Sequence, residues 1–147
     1  MRTILLVEDN PDDEELTVRA LDRNHIANKV VVARDGQDAL DYMFGAGTWA
    51  GRDATDIPSV VLLDLHLPKI DGLEVLKRLR ADPRTAMTPI VILTSSMEQQ
   101  DLIQGYGLGA NSYVRKPVEF DQFVKAVGQL GLYWLVMNEV PQLVGVA

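Results

Sequence analysis

The sequence predicts an α/β fold: a doubly wound parallel sheet of five strands with helices on both faces. Short apolar runs alternate along the chain with segments of helical apolar spacing, the pattern of repeated strand-helix units rather than of segregated layers. The run VVLL at residues 60–63 is apolar without alternation, as suits a central strand covered on both faces. The runs also end on chemically competent residues: ILLV at Glu8-Asp9, VVLL at Asp64, IVIL at Thr94 and SYVR at Lys116. In an open parallel sheet, ligands bind beyond the carboxyl ends of the strands, so these residues should share one crevice.

Each element has its own signal. Thr3 to Val7 is aliphatic and β-branched and stops at a polar cluster, which predicts the first strand. Pro11 opens a helix, acidic residues from Asp12 to Glu15 suit its positive end, and Leu16, Ala20 and Leu21 share a face. Lys29 to Ala33 is the second strand. Asp35-Gly36 punctuates it, and Ala39, Leu40, Met43 and Phe44 mark a second helix ending at Gly45. Gly45 to Pro58 has no period and should be a surface loop, longer than the usual ~4–6 residues.

Val60 to Leu63 is the third strand. Pro68 and Gly72 bracket a turn before a helix through Leu73, Val75, Leu76 and Leu79, closed near Ala81-Asp82-Pro83. Ile90 to Leu93 is the fourth strand, and Asp101 to Leu108 a weak helix, since Gly105 and Gly107 each cost about 1 kcal/mol against alanine. Tyr113 to Arg115 is the fifth strand. From Glu119 a last helix carries Phe120, Phe123, Val124, Val127, Leu130 and Trp134 on one face. Residues 1–137 are expected to form one domain, with 138–147 a tail that is poorly ordered unless docked.

Composition narrows the function. A net charge of −7 argues against nucleic acid, which demands a basic face, and points to protein partners. Cysteine is absent, which removes disulfides, thiolate metal sites and cysteine nucleophiles. The amino end turns acidic too soon for a signal peptide, and no run is long enough to span a membrane, so a cytoplasmic protein is expected.

The strand ends suggest phosphoryl chemistry. Asp64 can attack phosphorus as a carboxylate nucleophile. Such a transfer needs charge neutralised on the phosphoryl oxygens, a role for a cation, a hydroxyl or amide donor and a fixed positive side chain. Asp9 and Asp64 are expected to hold Mg²⁺, with Glu8 reaching it directly or through water, since clustered oxygen donors favour a hard cation. Thr94, or the Ser95 amide, would donate to one phosphoryl oxygen, and Lys116 would pair with another.

Together LLVEDNPDD, VLLDLHLPKIDG, VILTSS and SYVRKP, in that order from Thr3 to about Val136, resemble the response-regulator receiver domains of two-component signalling. The resemblance implies a flavodoxin-like sheet of order 2-1-3-4-5 and a phosphoacceptor at Asp64 served by a histidine kinase. It also implies Mg²⁺ on Asp9, Asp64 and the His66 carbonyl, a switch between Thr94 and the aromatic Tyr113, and a cis peptide before Pro117. Such a domain is no enzyme in the usual sense, although it catalyses its own phosphorylation and dephosphorylation. The long loop and the apolar LGLYWLVM look like the stand-alone receivers that partner phytochrome kinases.

The short stretch after the last helix leaves no room for an output domain, so a downstream protein is expected to read the signal. Leu132, Tyr133, Leu135 and Val136 cannot all face one core, which suggests a homodimer through the last helix, or else a tail folded back over them. Two enzyme-like readings fit poorly. A haloacid-dehalogenase-type phosphatase needs a second aspartate where His66 stands, and a flavin or nucleotide binder needs a phosphate loop where Glu8 to Asp13 would repel one. A phosphorylation-independent scaffold of the same fold is the remaining alternative.

Overall fold

The computed structural model describes residues 3–95, 97–116, 119–131, 133–134 and 138. Strands β1 (Ile4–Val7), β2 (Val30–Ala33), β3 (Val60–Leu63), β4 (Ile90–Thr94) and β5 (Ser112–Arg115) form one sheet of order β2-β1-β3-β4-β5. Every pairing is parallel, with Leu6 level with Val32 on one side and Leu62 on the other. The expected order is therefore the observed one.

All residues of the central strands β1, β3 and β4 are buried, which explains why their sequences do not alternate. Successive side chains still point to opposite faces. Leu5, Val7, Val61, Leu63, Ile90 and Ile92 pack on one side with residues from helices α2 (Gly36–Phe44) and α3 (Gly72–Ala81). Ile4, Leu6, Val60, Leu62, Val91 and Leu93 pack on the other with α1 (Pro11–Arg23) and α5 (Phe120–Gly131). Helix α4 (Gln99–Gly107) lies by β5 and α3.

Local chemistry sets the helix starts. Asn10 caps α1 by accepting from the Asp12 and Asp13 amides, and Asp71 caps α3 by accepting from Glu74 N at 3.0 Å. Helix α4 begins two residues before the expected Asp101, at Gln99, and its cap residue Glu98 makes no side-chain cap bond. Asn24 staples α1 to α5: its Nδ2 donates to Ala20 O and to Val124 O, both at 2.8 Å. Gly128 makes room, because a Cβ there would stand 2.4 Å from Asn24 Oδ1.

The segment expected as an irregular loop is built rather than loose. It contains a 3-10 turn, Gly47–Trp49, whose indole meets Tyr42 edge-on at 4.9 Å and donates to Asp38 Oδ1 at 2.9 Å. Arg52 lies 3.9 Å from the centre of the Tyr42 ring and donates to Tyr42 O at 2.8 Å. The loop is thus a strap tied to α2, held by cation–π and hydrogen-bond contacts that leave no apolar period to read. The peptide before Pro117, residues Leu132, Leu135 and Val136, and the division between residues 137 and 138 lie outside the described residues.

Candidate functional site

The site is assembled by backbone pairing beyond the strand ends. Glu8 N donates to Ala33 O at 2.9 Å and Asp64 N to Val7 O at 3.1 Å, so both residues continue the ladder. Lys116 N donates to Thr94 O at 2.8 Å. Parallel pairing therefore gathers the four side chains at one edge of the sheet, with Thr94 and Lys116 further along their strands than Glu8 and Asp64, and Glu8, Asp64 and Thr94 are buried.

Both oxygens of Asp64 are engaged. Oδ1 accepts from the Thr94 hydroxyl at 3.0 Å and from the His66 amide at 3.2 Å. Oδ2 lies 3.2 Å from Lys116 Nζ. Lys116 also pairs closely with Glu8 and lies 3.1 Å from Asp13 Oδ2. A single ammonium thus answers three carboxylates. A glycine is needed just behind: a Cβ at Gly72 would stand 2.2 Å from the Asp64 carbonyl oxygen.

The electrostatics separate the two buried acids. Burial pushes the Glu8 carboxyl up to about 7, against the lowering effect of Lys116 and with the help of the Asp64 charge. Burial would raise Asp64 too, but the Lys116 charge and hydrogen bonds involving Glu8, His66 and Lys116 together hold it below the usual carboxylate range. Burial works against the Lys116 ammonium, and its bonds to Glu8 and Asp64 outweigh that and raise it. Asp64 is thus the acid of the pair that favours its ionised form.

Of the residues singled out from sequence, Glu8, Asp64, Thr94 and Lys116 meet. Asp13, read from sequence only as a helix-dipole residue, joins them: oxygens of Glu8, Asp13 and Asp64 lie within 4.8 Å of one another. The sequence marks Asp13 only by its place in the first turn of α1, which Asn10 caps. Asp9 is exposed and is not among the three acids whose oxygens converge. His66 is exposed and contributes its amide to Asp64. Tyr113 is level with Ile92 rather than Thr94, half-buried beneath α4. Convergent oxygen donors of this kind fit a hard divalent cation.

Comparison with known proteins identifies the family. Residues 4–128 match the response regulator receiver domain. Response regulator Rcp1 of Synechocystis is 33% identical over 140 residues, covering 95% of this chain and 93% of that protein. Its Mn(2+)-bound crystal structure superposes with a TM-score of 0.86 over 96% of this chain and 99% of that one. The phosphorylated cyanobacterial phytochrome response regulator RcpA is 35% identical with a TM-score of 0.87, again over 96% and 99% of the two chains. The bacteriophytochrome response regulator AtBRR is 55% identical with a TM-score of 0.76, over 95% of this chain and 99% of that one.

Proposed function

The chain belongs to the response regulator receiver family of two-component signalling, and we propose that it acts as a single-domain regulator phosphorylated on Asp64 by a histidine kinase of the phytochrome kind. The observation that carries this reading is the convergence of a hydroxyl, an amide and an ammonium on the two oxygens of Asp64. An Asp64 oxygen attacks the phosphorus of a phosphohistidine; the O–P bond forms as the P–N bond breaks, and its electron pair leaves on the imidazole nitrogen. Thr94 and Lys116, each in contact with Asp64, would supply a donor and positive charge to the phosphoryl oxygens. Tyr113 follows Thr94 as the switch aromatic.

The cluster of Glu8, Asp13 and Asp64 favours Mg²⁺; by the family resemblance Asp64, the neighbouring Asp9 and the His66 carbonyl would be the direct ligands, with Glu8 reaching the cation directly or through water. When bound, the cation supplies charge against the phosphoryl oxygens. Metal-bound Rcp1 and phosphorylated RcpA support both halves of the proposal by similarity.

The partners are a kinase, a downstream protein and a second copy of the chain, with acidity speaking against nucleic acid. No helix among the described residues is long and apolar enough to cross a membrane, which is consistent with work in the cytoplasm. The decisive test incubates the protein with a small acyl phosphate and Mg²⁺ and weighs it intact. Wild type should gain one phosphoryl group and Asp64→Asn none. No adduct on wild type would leave the scaffold reading in its place.

A further inference from the structure

The loop that follows Asp64 runs from Leu65 to Asp71 and is gripped at both ends by helix starts. On one side Gly72, first residue of α3, donates back to Leu65 O at 2.8 Å. On the other, the start of α2 meets the loop through an approach that only glycine permits: a Cβ on Gly36 would stand 1.8 Å from the Ile70 carbonyl oxygen and 2.8 Å from Ile70 Cβ. The first of these contacts is with backbone, which cannot rotate out of the way.

Polar contacts close the same junction. Gly36 N donates to Pro68 O at 3.3 Å, and the Lys69 ammonium lies 3.3 Å from Asp35 Oδ2. Asp35 meanwhile caps α2 through its other oxygen, which accepts from Asp38 N at 2.7 Å. Lys69 adopts a φ of 66°, a left-handed conformation that costs energy for a side chain of its kind and is held in place by this junction. Turning the chain there brings both the Pro68 carbonyl and the Lys69 ammonium onto the start of α2.

We infer that Gly36 is a positioning residue for phosphorylation: by letting α2 seat the loop after Asp64, it fixes the His66 amide that orients the Asp64 carboxylate. The chain of contacts is short. Gly36 bears on Pro68 and Ile70, the same loop carries His66, and the His66 amide donates to Asp64 Oδ1 at 3.2 Å. Displacing the loop by the room a methyl needs would pull that donor away and turn the attacking oxygen. Misplacement on this scale is costly to reactions that depend on alignment.

The inference rests on the receiver reading, and the test separates the two. Wild type, Gly36→Ala and Asp35→Ser are incubated with a small acyl phosphate and Mg²⁺, and the rate of adduct formation is read with amide exchange across residues 66–72. Serine retains the helix cap and removes the partner of Lys69. In Gly36→Ala, folded by circular dichroism, we expect faster exchange in the loop and phosphorylation slowed about tenfold or more. Asp35→Ser should shift both in the same direction by less.

A folded Gly36→Ala that phosphorylates at the wild-type rate would overturn the positioning role while leaving the receiver reading intact. Should Gly36→Ala fail to fold, Asp35→Ser decides, and wild-type rate and exchange there would overturn it equally. A wild type that takes no phosphoryl group would remove both.

Discussion

At the residue scale, Glu8 offers a sharp test, because burial and its neighbours act on it in opposite directions. Its value in the folded protein, about 7, lies above the ordinary 4.5. A carboxyl raised on folding contributes stability that is full below the unfolded value and is lost as pH rises through the folded one. In the absence of divalent cations, wild type should therefore lose melting temperature relative to Glu8→Gln between about pH 5 and pH 8. Asp64, held low, acts in a separate window: its contribution is present above its ordinary 3.8 and fades as pH falls through its lower folded value. Melting curves that stay parallel for the two proteins across the neutral range would show that Glu8 is not driven up by burial. Most of this cluster was legible from sequence, since Glu8, Asp64, Thr94 and Lys116 each follow an apolar run and parallel pairing brings such ends to one edge of the sheet. Asp13 was not, because an acid in the first turn of a helix has an ordinary explanation in the helix dipole. Only the fold reveals that the ammonium of Lys116 lies 3.1 Å away.

At the element scale, α4 carries two glycines with opposite surroundings. Gly107 has nothing within 4 Å of a would-be Cβ, so alanine there should gain roughly 0.5–1 kcal/mol of stability through helix propensity. Gly105 is buried, and its Cβ would come within 2.7 Å of Ile92 Cδ1 and 3.3 Å of Tyr113 Cδ2. Overpacking of that kind costs about 1–3 kcal/mol and outweighs the propensity gain. Denaturant unfolding should find Gly107→Ala more stable than wild type and Gly105→Ala less; the reverse order would mean that α4 is seated differently over β5. Sequence reading recognised both glycines as weak points in a helix but could not tell them apart, since the difference lies in what β4 and β5 place beneath them. The strap after α2 was hidden for a related reason. Trp49, Arg52 and Tyr42 hold it by aromatic, cation–π and hydrogen-bond contacts that leave no periodic trace.

For the whole molecule, the open question is association. Tyr133 is half exposed and meets buried Trp134 edge-on at 4.8 Å, so the segment just after α5 offers at least one large aromatic ring to a neighbour. Burying such a side chain contributes about 1.5–3 kcal/mol before association costs. A homodimer is expected with or without phosphate. Sedimentation at micromolar concentration should show it, and Tyr133→Glu should weaken it without slowing phosphorylation; a wild type that sediments as a monomer would set the proposal aside.

The two tryptophans of the chain fall on opposite faces of the sheet. Trp49 belongs to the strap beside α2, and Trp134 to the core shared by α1 and α5. Nature has in effect supplied each layer with its own fluorophore. Trp134→Phe and Trp49→Phe make two singly emitting proteins whose unfolding can be followed separately. Coincident midpoints would mean that the five-stranded sheet transmits disorder from one layer to the other as a single cooperative unit; an earlier loss of the Trp49 signal would mark the strap and α2 as a region that melts first, ahead of the rest.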